Sequence, residues 1–104
     1  MIARTWRGWT RRRDTEAYVE YLMETGIREY KETPGNRAAY ILHRDDGQRT
    51  AFITLTFWDS IEAVHRFAGQ DAERAVFYPA DGRFLIDRET TASNYLVVEA
   101  LESQ

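Results

Sequence analysis

The chemistry open to this chain is that of aromatic walls and a few charges, because the usual nucleophiles and metal ligands are missing or badly spaced. There is no cysteine, which removes thiolate nucleophiles, disulfides, iron-sulfur clusters and cysteine zinc sites. Neither His43 nor His65 has a histidine or glutamate four residues on, so no metal site is expected. His65 lies beside the apolar stripe of its helix and reads as solvent-facing, and His43 stands near a hairpin. Asp59, Glu62, Asp71 and Glu73 read as helix caps and first-turn charges before they read as acids or bases. What remains is aromatic: Trp58, Phe52, Phe77 and Tyr95 can wall a flat apolar molecule. Arg7, on the same first-strand face as Ala3 and Thr5, can set a positive charge against an anion formed on it. Aromatic residues on buried strands are also ordinary core, so Trp58 and Phe52 fit plain packing as well. Glycine-rich phosphate loops and the G-x-S-x-G elbow are absent, leaving nucleotide cofactors and triad hydrolysis without a motif.

The elements that must position these groups are read from periodicity. Ala51 to Trp58 is an uncharged run entering an aspartate-serine helix start. Alternation puts Ala51, Ile53, Leu55 and Phe57 on one face of a strand, and Phe52, Thr54, Thr56 and Trp58 on the other. Both faces read as buried. A chain of 104 residues has helices enough for one of them, so the other is expected to meet a second copy. Trp58, at the strand end beside the helices, is expected at the rim of a small pocket.

Ile2 to Trp9 reads as the first strand. Asp14 is expected to cap a helix whose stripe is Tyr18, Tyr21, Leu22 and Thr25, widened by Val19, Met23, Ile27 and Tyr30, with Gly26 a weak point inside it and Thr33-Pro34-Gly35-Asn36 its stop. Arg37 to Arg44 is the second strand, and Asp45-Asp46-Gly47-Gln48 its hairpin turn. Asp59 or Ser60 caps a second helix with Ile61, Val64, Phe67 and Ala68 inward, ending at Gly69. A helical turn is expected around Asp71 to Val76. Phe77 to Ala92 reads as irregular chain packed down as a lid or dimer arm, since Phe77, Tyr78, Phe84, Leu85 and Ile86 do not belong in solvent. Asn94 to Glu99 is the last strand and Leu101 to Gln104 a frayed tail. The order β-α-β-β-α-β is the ferredoxin-like arrangement, an α+β domain over residues 1–104 whose antiparallel sheet carries both helices on one face.

Composition sets broad limits. The chain is 43% hydrophobic and 30% charged with a formal net charge of -3, the profile of an ordinary soluble domain, and Arg11-Arg12-Arg13 is its only basic cluster. No nucleic-acid partner is expected. No apolar run approaches a membrane span and the N-terminus lacks the order of a signal peptide, so no membrane partner and a cytoplasmic location are expected.

With M-I-A-R-T-W at 1–6, T-P-G-N at 33–36, L-T-F-W-D-S at 55–60, F-A-G at 67–69, the Tyr78-Pro79 pair and Tyr95, the chain resembles the antibiotic biosynthesis monooxygenase family. Its members are ferredoxin-like domains paired into dimeric α+β barrels. The resemblance implies a homodimer acting without a bound cofactor on a small aromatic or quinone-type compound, which gives up a proton and passes an electron to oxygen. Phe52, Thr54, Trp58, Phe67, Phe77 and Tyr78 are then expected to touch the ligand, with Arg7, Trp58 and Tyr95 the candidates for catalytic work. Trp58 also matches a pocket tryptophan of haem-degrading relatives. Ala3 stands where those have an asparagine, and Val76 or Phe77 where they have the haem-ligating histidine, so haem degradation is not implied. Asn94 replaces a histidine that other relatives carry before the last-strand tyrosine. The alternative is a non-catalytic dimeric barrel that binds a small hydrophobic ligand or serves a structural role; a pocket filled by Phe77, Tyr78 and Phe84 would favour it.

Overall fold

The computed structural model describes residues 1–101. β1 (Ile2–Arg11) leads through a 3-10 turn into α1 (Thr15–Glu24) and α2 (Gly26–Glu32). The hairpin of β2 (Asn36–Asp46) and β3 (Arg49–Trp58) follows, then α3 (Ile61–Ala68), the single turn α4 (Asp81–Phe84), β4 (Leu85–Arg88) and β5 (Ser93–Leu96). The sheet runs β2-β3-β1-β4, with β5 also on β1, and every pairing is antiparallel. β4 takes the Gly8–Thr10 end of β1 and β5 the Ile2–Thr5 end, so the fourth position of a ferredoxin-like sheet is filled by two short strands in tandem. The fold is α+β and ferredoxin-like, with the helices packed on one face.

β3 alternates as its sequence predicts. Thr50, Phe52, Thr54, Thr56 and Trp58 are buried under the helices, and Ala51, Ile53, Leu55 and Phe57 are half-buried on the opposite face. Register extends the division: Ile2, Arg4, Trp6 and Gly8 lie opposite Trp58, Thr56, Thr54 and Phe52 and so share the covered face. Gly8 has no room for a side chain, since a Cβ there would sit 2.4 Å from the Trp6 ring. Two clusters form the core. Tyr18, Leu22 and Phe52 make one, and Trp58, Ala63, Val64, Phe67 and Ala68 the other.

Several local expectations are corrected. Asp14 makes no capping hydrogen bond and instead faces Arg11 at 3.9 Å. The single helix expected through Gly26 is two, broken at Thr25 (φ −114°, ψ −85°), whose hydroxyl donates to the Tyr21 carbonyl. Met23, expected on the inward stripe, is exposed. Ser60, not Asp59, caps α3 by accepting from the Ala63 N–H, because Asp59 is drawn to Arg37 at 3.2 Å. Within α3 the inward small residue is Ala63, and Ile61 turns outward. No helix forms over 71–76; a turn leads to an isolated bridge between Arg74 and Thr91. The stretch expected to be irregular holds α4 and β4, because Leu85, Asp87 and Arg88 find partners on β1. The last strand stops at Leu96, and the tail from 102 on lies outside the described residues. The hairpin is as expected, with Gly47 at φ +65°, a conformation that costs glycine little.

Candidate functional site

A cavity of about 40 Å³ lies between the covered sheet face, α1, α2 and the strap 75–81. The sheet supplies Arg4, Trp6, Ile41, Thr54 and Thr56; the helices supply Tyr18, Leu22, Ile27, Tyr30 and Phe67; the strap supplies Phe77, Tyr78 and Asp81. Space of this size holds about one water, whereas an apolar cavity that accepts benzene is about 150 Å³. A ring does not fit this space as it stands. Phe77 meets Trp6 edge-on with ring centres 5.9 Å apart, and the Arg88 guanidinium covers its outer face at 4.4 Å.

The strap is tied down by polar contacts, because its backbone has little sheet or helix to satisfy it. The Tyr78 hydroxyl donates to the Glu29 carboxylate, the Ala80 N–H donates to the Tyr21 hydroxyl at 2.8 Å, and the Tyr78 N–H donates to Asp81 at 2.6 Å. Burial pushes the Tyr78 and Tyr18 hydroxyls well above the usual phenol range, so both are neutral donors, with Glu29 and Asp81 respectively adding to the shift.

Besides its tyrosines, the cavity is lined by two ionisable groups, Arg4 and Asp81. Arg4 is 5% exposed. Its guanidinium donates to the carbonyls of Ala72 and Arg74 and, at 3.3 Å, to Asn94 Oδ1, with the Phe67 ring 5.9 Å away. All of these acceptors are neutral, and among the described residues Arg4 makes no ion pair with a carboxylate. Burial pulls its pKa down from the ordinary value, opposed by Tyr30 and Asp71, but a guanidinium stays charged in a protein. Asp81 is 3% exposed and accepts from the Tyr18 hydroxyl at 3.2 Å as well as from Tyr78. Burial pushes its carboxyl above the usual range, and the hydrogen bonds from Tyr78 and Tyr18, then Arg88, pull it back part of the way.

Of the residues singled out from the sequence, Thr54, Phe67, Phe77 and Tyr78 line this cavity. Phe52 lies beneath Tyr18, fully buried. Trp58, expected at the rim, is 0% exposed. Its ring packs between Tyr30 and Phe67 and its indole N–H donates to Thr56 Oγ1 at 2.9 Å, which puts it one layer behind the cavity wall. The strand end is closed over by α3, so position in the strand does not translate into access. Arg7 and Tyr95 lie on the opposite sheet face: Arg7 pairs with Glu89 at 3.0 Å, and Tyr95, opposite Ala3, is 57% exposed. Ala3 shares that face, and it is Arg4 that looks into the cavity.

Sequence reasoning missed Arg4 and Asp81. An arginine flanked by Ile2 and Trp6 on one face of a strand was the available sign of the first. Asp81 before Gly82 reads as an ordinary turn, and only burial distinguishes it. His65 bonds Gly69 O through Nδ1 at 2.8 Å and His43 packs on Phe52. Among the described residues no group of three histidines or carboxylates gathers to hold a metal, and no helix is long and apolar enough to cross a membrane.

No protein-family model matches the sequence, and no curated protein does. Solved structures do. A Bacillus cereus protein provisionally assigned as an antibiotic biosynthesis monooxygenase superposes with a TM-score of 0.71 at 14% identity, over 98% of this chain and 97% of its own. A Nitrosomonas europaea protein with the same provisional assignment gives 0.62 at 16%, over 95% and 100%. A point mutant of MhuD with two manganese protoporphyrin IX bound per active site gives 0.63 at 16%, over 99% and 100%. At such identities the likeness is one of architecture, and the chain has the ferredoxin-like fold of the antibiotic biosynthesis monooxygenase proteins over nearly its whole length.

Proposed function

We propose that the protein is a cofactor-independent, monooxygenase-type enzyme, working as a homodimer on a small aromatic or quinone-type compound. The observation that carries this is Arg4, a buried cation lining an aromatic-walled cavity, whose hydrogen-bond acceptors are all neutral and whose charge is favoured by Asp71 without an ion pair. A charge taken out of water is costly unless something compensates it, and an enolate or phenolate formed in the cavity supplies the missing negative charge. The cation then does the work of an oxyanion site, stabilising charge where it develops in a space largely closed to water.

The reaction balances with dioxygen as the only co-reactant. A ring CH2 activated by a carbonyl loses one proton, the carbanion transfers an electron to dioxygen, and the two radicals combine into a peroxide. Protonation and loss of water leave a new carbonyl, so one oxygen atom enters the product and the other leaves as water. Haem has no place in this reading, because neither histidine lines the cavity.

The homodimer rests on the uncovered sheet face. Ile53, Leu55 and Phe57 are half-buried there, with Tyr40 and Leu42 exposed beside them, an apolar surface of the kind that a second copy covers.

An oxygen electrode and a panel of anthrones, quinols and naphthols test the activity. Oxygen uptake above the uncatalysed blank that survives exhaustive treatment with chelator is expected. Tight binding of the same compounds without any oxygen uptake would overturn catalysis in favour of a ligand-binding barrel.

A further inference from the structure

Phe67 gathers two hydrogen-bond donors around its ring. The Arg4 guanidinium lies 5.9 Å from its centre and the Tyr30 ring packs against it with centres 4.8 Å apart; Arg4, Tyr30 and Thr54 all line the one cavity. A guanidinium has five N–H donors and no acceptor. Three hydrogen bonds hold Arg4, to the carbonyls of Ala72 and Arg74 and to Asn94 Oδ1, so two donors are left over on a residue only 5% exposed. Burial raises the Tyr30 hydroxyl above the ordinary phenol range, and the Thr54 hydroxyl and the Arg4 charge oppose it. The phenol keeps its proton. A Thr54 hydroxyl that lowers its pKa is donating to its oxygen, which leaves the Tyr30 O–H to turn elsewhere.

The charge is a stronger demand than the donors. Burial lowers the Arg4 pKa and Tyr30 and Asp71 oppose it, but among the described residues no carboxylate pairs with the guanidinium. Asp81, on the same cavity, has partners of its own in the Tyr18 hydroxyl, the Tyr78 N–H and the Arg88 charge. A guanidinium cannot shed its proton as a buried lysine can, so its desolvation is best offset by an acceptor that is itself negative. A water satisfies the donors and leaves the charge. The size of the space selects among anions: about 40 Å³ takes one water or one ion near that size, and excludes rings and the tetrahedral oxyanions.

We propose that this cavity binds one small monovalent inorganic anion of the halide class, chloride or bromide, held by the spare N–H groups of Arg4 and by the Tyr30 hydroxyl. The site stands independently of any oxygenase activity. It adds one consequence to that reading: an oxyanion formed on a substrate takes the same donors, so halide and substrate exclude one another.

Chloride NMR linewidth tests this on the unmodified protein. Protein dialysed into halide-free sulfate buffer is titrated with sodium chloride at fixed ionic strength, and bromide is then added. The expected result is excess broadening that saturates, that bromide removes and that further sulfate leaves in place. The melting temperature is expected to rise over the same chloride range, because a ligand of the folded state alone stabilises it. Arg4→Met is expected to abolish both effects. Should that variant lack a cooperative melt, Tyr30→Phe decides, since it keeps the ring against Trp58 and Phe67 and loses only the hydroxyl. Its chloride affinity is expected to fall at least about tenfold, the scale of a lost hydrogen bond to a charged group. Arg13→Ala, in the exposed basic cluster, is expected to leave binding unchanged.

Broadening that never saturates, that persists in Tyr30→Phe at wild-type affinity, that Arg13→Ala removes, or that sulfate displaces as readily as bromide means an adventitious ion only and overturns the proposal. Oxygen uptake with any of those results leaves the oxygenase reading standing alone; halide binding as described without oxygen uptake leaves the anion site standing without it.

Discussion

The two faces of β3 are made from the same uncharged stretch and end in different circumstances. Under the helices, Phe52 and Trp58 alternate with Thr50, Thr54 and Thr56, all buried; on the other side Ala51, Ile53, Leu55 and Phe57 carry no hydroxyl and are left half-buried. Threonine suits the inner face because its hydroxyl finds partners there: Thr50 shares a hydrogen bond with Thr15 at 2.6 Å and Thr56 accepts one from Trp58. The chain thus keeps its polar requirements on the face it closes by itself. On β3 the outer face carries no hydroxyl to satisfy, so a second molecule covering it meets polar groups only from its neighbours, among them Tyr40, Arg7 and Tyr95, and an unpaired buried hydroxyl would lose much where an apolar surface loses little.

The sharpest break of that contrast is Trp58→Ala. A fully buried tryptophan packed on two aromatic rings should cost about 3 to 5 kcal/mol, a large part of the stability of a domain this size. Chemical denaturation is expected to show loss of most of the folded baseline, and a midpoint near wild type would mean that the inner face is looser than its burial indicates. On the bare face, Leu55→Asp should leave the fold intact and act on association. Light scattering is expected to fall from about twice the 12.2 kDa chain mass to that mass, and an unchanged dimer, or a wild type that is already monomeric, would refute the pairing.

The smallest effect is in pH dependence. Because the Asp81 carboxyl is raised in the fold, the folded state holds its proton to higher pH than the unfolded chain. The contribution of this group is therefore complete below the unfolded pKa, near 3.8, and is lost as pH rises through the folded value. Asp81→Asn is expected to melt no lower than wild type at neutral pH, with its relative advantage shrinking on acidification. A variant that is least stable at neutral pH and recovers in acid would reverse the assigned sign.

How far the sequence reached follows from which signals are local. The alternation of β3, the turn at Gly47 and the end of α3 before Gly69 are written in neighbouring residues, and they stand in the structure. β4 is not, because four residues make a strand only when an edge of β1 is waiting for them. Nor is the role of Trp58, since whether a strand end is a rim or a floor is decided by what packs over it, here α3. Arg4 and Asp81 were hidden for the same reason: charged residues look solvated until chain from 68 and 63 positions away, respectively, encloses them.

The tandem arrangement of β4 and β5 bears on how the protein keeps from polymerising. Between them the chain leaves the sheet at 89–92, where Glu89 turns its backbone and carboxylate to Arg7 and its carbonyl to the Trp6 indole. What would be a full-length ribbon of free amide groups becomes two four-residue pieces with a charged interruption between them. Such pieces are too short to template a foreign strand in register. The opposite boundary of the sheet, β2, is eleven residues long but carries Arg37, Arg44, Asp45 and Asp46, and like charges stacked along a growing fibre repel. Both borders therefore discourage lateral strand addition.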